Sequence, residues 1–363
     1  MTVKLWVFLS AFALNWLILL ALKPLAWRFA WLDYPDASRK RHKVAVPVVG
    51  GPALLLTVVG FSAFKLMSTP SLLTWECVWI MLGGVVIAIL GWLDDQYNLR
   101  VSVRLLGQVA ALLCLTLGGG VTLVSFGDLA GFGELRLGWL AVPVTVIAGV
   151  GLINAFNMID GIDGLAAGLG VVALSALYSL LLLQGVSPTP LLLIIIAALV
   201  SFLAFNCQWP GFRGYYMFLG DSGSMLIGYF VVAATVYYSQ YTPDILAPVN
   251  ALWLVAIPLL DFFVTTLRRL ANGHSAWQAD RRHIHHCLLR LGFNPPVVVT
   301  ILIGMAVYFA AIGIHAQQTD IKESTMFILA LLVFVIVLTV MISFQRFYRL
   351  IRKHISQKRL RWP

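Results

Sequence analysis

Long apolar segments alternate with short polar segments along almost the whole chain. A bilayer core about 30 Å thick is crossed by roughly 20 apolar residues in a helix, which rises about 1.5 Å per residue. Eleven segments reach this length, at approximate positions 3–22, 46–67, 75–93, 103–120, 138–157, 164–183, 190–208, 223–240, 248–267, 297–315 and 325–343. The pattern therefore predicts an all-α polytopic membrane protein with about eleven transmembrane helices.

The composition agrees with this class of protein. Of 363 residues, 60% are hydrophobic and 11% are charged, and the mean hydropathy is +0.91. A soluble domain carries about 25% charged residues, so an ordinary globular enzyme, a disordered chain and a nucleic-acid-binding domain are excluded. Four cysteines are scattered without a short-range pattern, and they predict no disulfide framework.

The distribution of the 25 lysines and arginines predicts the orientation in the membrane. With eleven spans, the loops after spans 1, 3, 5, 7 and 9 lie on the same side of the membrane as the C-terminal tail. Nearly all the basic residues fall on that side. The exceptions are Lys4, Lys65, Arg136 and Lys322. The positive-inside rule makes the basic side cytoplasmic and the N-terminus periplasmic. Residues 1–343 are expected to form one transmembrane domain, and 344–363 a basic cytoplasmic tail on anionic lipid.

Three groups of acidic and amide side chains lie on the predicted cytoplasmic side. They are Asp94 and Asp95 after span 3, then Asn154, Asn157, Asp160 and Asp163 after span 5, and Asp221 after span 7. Carboxylates gathered at one face repel one another unless a cation lies among them, and such hard oxygen ligands suit Mg²⁺ or Mn²⁺. Two simpler explanations stay open, namely a solvated helix end at Asp94 and a helix cap at Asp221.

A histidine-rich segment follows span 9. The sequence DRRHIHH allows three interpretations: a zinc site, a basic loop on lipid headgroups, or a loop that binds phosphate or sugar. The third is favoured because guanidinium groups grip phosphate bidentately and imidazoles exchange protons. Its residues are Arg281, Arg282, His283, His285 and His286.

A dense cationic run, SRKRHK at 38–43, precedes span 2. It serves the positive-inside rule, and it also predicts capture of an anionic headgroup at the membrane surface. Metal-binding acids, phosphate-binding bases and this run together favour phosphoryl transfer between a nucleotide and a lipid phosphate. Two rival classes are a cation-coupled transporter, based on Asp261 within span 9, and an intramembrane aspartyl protease, based on Gly220-Asp221.

Four motifs occur in a characteristic order on the cytoplasmic side. They are GWLDDQYNLRVSVR, INAFNMIDGIDGL, FLGDSGS and DRRHIHH. Over roughly residues 30–315 the chain resembles the polyprenyl-phosphate N-acetylhexosamine-1-phosphate transferase superfamily, glycosyltransferase family 4. The resemblance implies transfer of N-acetylglucosamine 1-phosphate from UDP-N-acetylglucosamine to undecaprenyl phosphate with Mg²⁺ or Mn²⁺. UMP would be released, as the first step of O-antigen or related surface-polysaccharide synthesis at the bacterial inner membrane. Another UDP-N-acetylhexosamine donor and a homodimer both remain open.

The resemblance also implies roles for matching residues. Asp221 is expected to bind the metal with Asn157. Phe218 is expected to stack on uracil, while Asp163 hydrogen-bonds to it and Asp160 lies in the same cradle.

Further roles follow from the same resemblance. Asp94 and Asp95 match the family's essential acid pair, and Arg104 is expected to hold the pyrophosphate. The histidines, with Arg282, would contact the sugar phosphate, and Asn154 would belong to the nucleotide-sugar site. The lipid phosphate would be held by Arg39, Lys40, Arg41 and His42.

One position departs from the family pattern. The acid-pair motif often ends in an acidic residue three positions after the pair, where this chain has Asn98. An obligatory catalytic role is therefore not expected at that position. Direct attack of the lipid phosphate and a two-step route through an aspartyl intermediate on the acid pair both stay open.

Overall fold

A computed structural model describes residues 2–35, 44–68, 75–207, 216–241, 245–273, 275 and 283–359 of the chain. The described residues are overwhelmingly helical. The helices are α1 (Thr2–Arg28), α2 (Gly50–Ser68), α3 (Trp75–Tyr97), α4 (Val101–Leu113), α5 (Ala141–Ile159), α6 (Leu165–Leu183), α7 (Pro190–Asn206), α8 (Gly220–Gln240), α9 (Pro248–Leu254), α10 (Ala256–Ala271), α11 (Ile284–Arg290), α12 (Pro295–Gln318) and α13 (Glu323–Arg359).

The lengths of these helices confirm a polytopic membrane protein. Within the described ranges, seven helices are long and apolar enough to cross a bilayer, and the bent pair α9–α10 makes eight if it is one span. Two further apolar stretches are shorter, namely Gly50–Phe64 within α2 and Pro190–Asn206, which is α7. The four cysteines are not joined to one another by disulfide bonds.

Helix α8 is the centre of the bundle. It packs against α2, α3, α5 and α6, and most of its side chains are buried. It begins with the polar sequence GDSGS and does not belong to the apolar set above. A helix enclosed by other helices meets little lipid, so its polar residues are tolerated when their neighbours are protein.

Small residues bring three helix ends into backbone contact. A side chain at Gly91 of α3 would collide with the backbone of Ser222, and one at Gly51 of α2 would collide with the Ser222 side chain. Glycine at these positions allows α2 and α3 to approach the start of α8 closely. This is the end of the bundle that carries Asp94, Asp95 and Asp221.

A short sheet joins two distant parts of the chain. Strand β1 (Leu32–Asp33) pairs antiparallel with β2 (Val46–Pro47). Next to β2, the backbone N–H of Phe218 donates to the carbonyl of Pro47 at 2.8 Å, and the N–H of Gly50 donates to the carbonyl of Phe218 at 3.0 Å. The strands on either side of the cationic run are therefore tied to the segment that enters α8.

The apolar segment predicted as one span at 248–267 forms two helices, because the chain bends by 87° between α9 and α10. Val255 lies at the bend, outside both helices. Pro258 follows in the first turn of α10, where proline is tolerated because its missing N–H would have no partner there. The bend directs α10 along α5 and α12.

Candidate active site

The carboxylate of Asp95 holds the start of α8. It accepts hydrogen bonds from the backbone N–H groups of Asp221 at 2.8 Å and Ser222 at 3.3 Å. The first N–H groups of a helix lack partners within the helix, and a carboxylate there also meets the positive end of the helix dipole. One member of the predicted acid pair thus fixes the position of Asp221.

Its neighbour Asp94 is buried, with 4% of its surface exposed. It accepts a hydrogen bond from the backbone N–H of Leu99 at 2.8 Å and forms a 2.8 Å ion pair with Arg104. It also interacts electrostatically with Asp221. Arg104, predicted to hold pyrophosphate, therefore contacts the acid cluster directly.

The backbone at Asn98 explains why α3 ends where it does. Asn98 has a φ of 48°, a left-handed conformation that asparagine tolerates better than most residues. Its N–H donates to the carbonyl of Asp94 at 2.9 Å. The chain turns here into α4, whose first turn carries Arg104 back to Asp94.

The two asparagines of α5 have different surroundings. The Asn157 side chain donates to Asp221 at 2.8 Å and to the Ser224 hydroxyl at 3.1 Å, so it belongs to the acid cluster. Asn154 is buried one turn earlier and donates to the Gln108 side chain at 2.7 Å. Asn154 therefore braces α5 against α4.

The loop after α5 carries two more predicted acids. Asp160 follows the last helical residue, and Asp163 accepts a hydrogen bond from the Tyr216 hydroxyl at 2.6 Å. Removal from water, followed by the charges of Asp221, Asp163 and Asp95, raises the pKa of Asp160 well above its ordinary value. The five predicted acids, which lie at the ends of α3 and α8 and in the loop after α5, thus act on one another within a single cluster.

Asn206 and Tyr216 were missed by the sequence analysis. Asn206 is buried at the end of α7, accepts from the backbone N–H of Gly164 at 2.5 Å and donates to the carbonyl of Met217 at 2.8 Å. It ties the Asp160–Asp163 loop to the segment of Phe218, whose half-buried ring packs edge-on against Tyr216. An amide in the otherwise apolar α7 is a signal that could have revealed Asn206.

The histidine segment is anchored by Asp261 of α10. The Nδ1 atom of His283 lies 2.7 Å from one carboxylate oxygen of Asp261, and the backbone N–H of Ile284 donates to the other at 2.7 Å. His283 and Asp261 are both buried. Asp261, which suggested a transporter, thus has a local partner in the predicted substrate-binding loop.

His285 brings the histidine segment against the loop of residues 160–163, called the acid loop below. A methyl group at Gly161 would approach its Nε2 atom to 2.5 Å, and its ring centroid lies 4.2 Å from that of His286. Neither of its ring nitrogens has a hydrogen-bond partner among the described residues. Burial, followed by the charge of His286, lowers the pKa of His285 to about 3, so its imidazole is neutral.

Several predicted residues lie outside the described part of the chain. The lipid-phosphate residues belong to this set, as do the arginines before the histidine segment. They are Arg39, Lys40, Arg41, His42, Arg281 and Arg282.

The donor atoms of the cluster fit a hard divalent cation. In the described ranges, no three acidic, histidine or cysteine side chains converge as a complete ligand set. Mg²⁺ is commonly held by one or two carboxylates plus substrate phosphates, so a full protein cage is not required. Cys287, which directly follows the histidines, packs with Val264 and Met341 in an apolar cluster.

A helical membrane protein with acids, amides and histidines gathered at one end of its bundle has the architecture of a membrane phosphoglycosyl transferase. The family model described as "Glycosyl transferase family 4" matches residues 77–239, from the first turn of α3 to the last turn of α8. The undecaprenyl-phosphate alpha-N-acetylglucosaminyl 1-phosphate transferase of Escherichia coli (strain K12) is 33% identical over 328 residues, covering 90% of this chain and 88% of the relative.

Two further relatives extend this similarity. The enzyme with the same name from Yersinia pestis is 32% identical over 337 residues, covering 92% of this chain and 89% of the relative. The probable undecaprenyl-phosphate N-acetylglucosaminyl 1-phosphate transferase of Bacillus subtilis (strain 168) is 31% identical over 330 residues, with 89% of each chain covered. The chain belongs to glycosyl transferase family 4, and the predicted resemblance is confirmed.

Proposed function

We propose that this protein transfers N-acetylglucosamine 1-phosphate from UDP-N-acetylglucosamine to undecaprenyl phosphate. The products are undecaprenyl-diphospho-N-acetylglucosamine and UMP, and the reaction initiates synthesis of O-antigen or a related surface glycan. The observation that carries the proposal is the identity of at least 31% to three named transferases over nine-tenths of the chain. The convergence of Asp95, Asn157 and Asp221 supports it.

The proposal includes an orientation in the bacterial inner membrane. Eleven spans form a single transferase domain over residues 1–343, with the N-terminus periplasmic and the acid cluster facing the cytoplasm. The asymmetry of lysine and arginine between the two sides supports this orientation. The basic segment 344–363 is the cytoplasmic tail, and α13 continues into it as far as Arg359.

Asp221 and Asn157 are the residues proposed to hold Mg²⁺ or Mn²⁺. A cation held there would neutralise charge on the diphosphate of the nucleotide sugar. Asp160 and Asp163 form the cradle for the uracil, and the ring of Phe218 stacks on the base. The ties from Asn206 and Tyr216 support this arrangement because they join the two loops that carry these groups.

Arg104 and Asp94 have linked roles in the proposal. Arg104 forms an ion pair with Asp94 at 2.8 Å. The pyrophosphate of the nucleotide sugar competes for the guanidinium group, and this competition releases Asp94. Asp94 or its neighbour Asp95 then acts on the lipid phosphate. Charge-assisted contacts to phosphate are strong enough for this exchange.

The remaining substrate groups are assigned to the two basic segments. The histidine segment, with Arg282, contacts the sugar phosphate. Its support is the contact of His285 with Gly161 in the acid loop. Arg39, Lys40, Arg41 and His42 bind the lipid phosphate, and strand β2, which follows them in the chain, is hydrogen-bonded to Phe218.

Label transfer with purified protein tests the reaction and the donor together. The full chain in detergent is given Mg²⁺, undecaprenyl phosphate and one radiolabelled UDP-sugar at a time, and label in the organic phase is counted. We expect transfer from UDP-N-acetylglucosamine, lost in Asp221→Ala and retained in Asp320→Asn, an exposed acid away from the cluster. Transfer from a different UDP-N-acetylhexosamine alone would change the assigned donor. Transfer from none would overturn the enzyme proposal.

A further inference from the structure

We propose that Asp261 is a positioning residue that orients His283 for the transfer reaction. The inference rests on the proposed function, and it adds a residue that the motifs above do not include. Both oxygens of this buried carboxylate are engaged: one lies 2.7 Å from the Nδ1 atom of His283, and the other accepts from the backbone N–H of Ile284 at 2.7 Å.

The first contact fixes the protonation pattern of the ring. A carboxylate can only accept hydrogen bonds, so the Nδ1 atom of His283 carries the proton in this pair. In the neutral imidazole the Nε2 atom is then the acceptor, ready to take a proton from a reacting group. A carboxylate behind a histidine holds the tautomer in this way in many catalytic sites.

The second contact fixes the backbone that follows. Ile284 is the first residue of α11, and its N–H has no partner within that helix. By accepting from it, Asp261 sets the position of the helix turn that carries His285 and His286. His285 in turn rests against Gly161 of the acid loop.

The carboxylate itself is held in a fixed place relative to the acid cluster. Helix α10 packs along α5, whose end carries Asp160, and it takes this path because the chain bends at Val255. Asp261 therefore links the histidine segment to the same framework that holds the acids. A buried carboxylate gives little net stability compared with apolar packing even when it is hydrogen-bonded, so orientation explains Asp261 better than stabilisation does.

The test compares Asp261→Asn with a matched control on the same helix. Thr265→Val changes another buried side chain one turn further along α10, and the hydroxyl of Thr265 has no partner among the described residues. For Asp261→Asn we expect kcat to fall by about 10- to 100-fold, the loss typical when the carboxylate behind a metal-binding histidine is removed. The KM for UDP-N-acetylglucosamine and the affinity for UMP should change by less than about threefold. Thr265→Val should retain wild-type kcat.

A double-mutant cycle shows whether Asp261 acts through the histidine. If it does, Asp261→Asn combined with His283→Gln is no slower than His283→Gln alone. Asp261→Glu, which keeps the charge, should recover part of the lost kcat.

Three results would overturn the inference. They are a kcat for Asp261→Asn within twofold of wild type, multiplicative losses in the double variant, and an equal loss of kcat in Thr265→Val. If Asp261→Asn does not fold, as judged by UMP binding, Asp261→Glu decides: lowered kcat with intact UMP binding supports the inference, and wild-type kcat rejects it. Failure of the proposed function looks different, because the wild-type protein itself would then transfer no label.

Discussion

The carboxylate of Asp95 accepts a hydrogen bond from the backbone N–H of Asp221, 126 positions further along the chain. The last turn of α3 and the first turn of α8 therefore share one acidic side chain. Since the second oxygen accepts from Ser222, the carboxylate acts as a cap supplied by another helix.

Removing this cap should weaken the protein as well as its activity. Asp95→Ala leaves two backbone N–H groups of α8 without an acceptor, and loss of a helix cap costs about 0.5–2 kcal/mol. Asp95→Asn retains one acceptor oxygen and should lose less stability. Unfolding of the purified variants in detergent, followed by circular dichroism, measures the difference. Equal unfolding of Asp95→Ala and wild type would show that the cap has no energetic role.

Gly220 should not tolerate a side chain. Its φ is +76°, and a Cβ there would lie 2.6 Å from a carboxylate oxygen of Asp95. The left-handed conformation alone costs an alanine about 1–2 kcal/mol. We expect Gly220→Ala to lower both the melting temperature and label transfer. Gly304→Ala is the matched control, because nothing lies within 4 Å of its Cβ position and alanine favours a helix such as α12.

Asn206 should affect nucleotide binding from a distance. Asn206→Asp keeps the acceptor for the N–H of Gly164 but cannot donate to Met217, and an unpartnered buried group costs about 1–3 kcal/mol. We expect the dissociation constant for UMP, measured by calorimetry, to rise about tenfold or more. Asn15 forms a comparable buried bridge to Ala198 and Thr57. Asn15→Asp should lose stability but bind UMP normally, and a parallel loss of UMP binding would refute the assignment.

The buried neutral His285 should make stability fall in mild acid. Its pKa is about 3 in the folded protein, below the ordinary 6.5, so the unfolded chain binds a proton that the folded chain does not. This contribution is fully present above pH 6.5 and is lost as the pH falls toward 3, reaching a loss of about 2 kcal/mol at pH 5. Between pH 7.5 and 5, wild type should therefore lose more thermal stability than His285→Gln. The exposed His315→Gln should follow wild type, and identical pH profiles for all three proteins would contradict the prediction.

Metal removal should stop transfer reversibly. EDTA should abolish label transfer, and Mg²⁺ or Mn²⁺ should restore it, because the carboxylates of the cluster repel one another without a cation. Asp221→Asn should need a higher Mg²⁺ concentration for half-maximal rate than wild type. Asp33→Asn, which alters an acid in strand β1, should leave that concentration unchanged. Full activity in EDTA would contradict the metal assignment.

Sequence analysis predicted the helices well because lipid imposes a simple length and polarity on each one. It could not predict the bend at Val255, since the apolar residues continue without interruption from α9 into α10. The acid cluster could be predicted from the sequence because aspartates are rare in this chain and occur at helix ends. The contacts of Asp261, Asn206 and Tyr216 could not be predicted, because each contact joins segments whose approach depends on how the helices pack. The left-handed backbone conformation of Asn98, which ends α3, is also not visible in any motif.

The site is assembled from parts that leave the ribosome at very different times. Asp94 and Asp95 emerge early, Asp221 follows more than a hundred residues later, and the histidine segment that Asp261 anchors comes last. A nascent chain that ends before α10 carries the acids without the groups that lie against them. We therefore expect an unfinished or prematurely terminated chain to leave the cell's pool of carrier lipid untouched, since the complete centre exists only after nearly the whole bundle has been inserted.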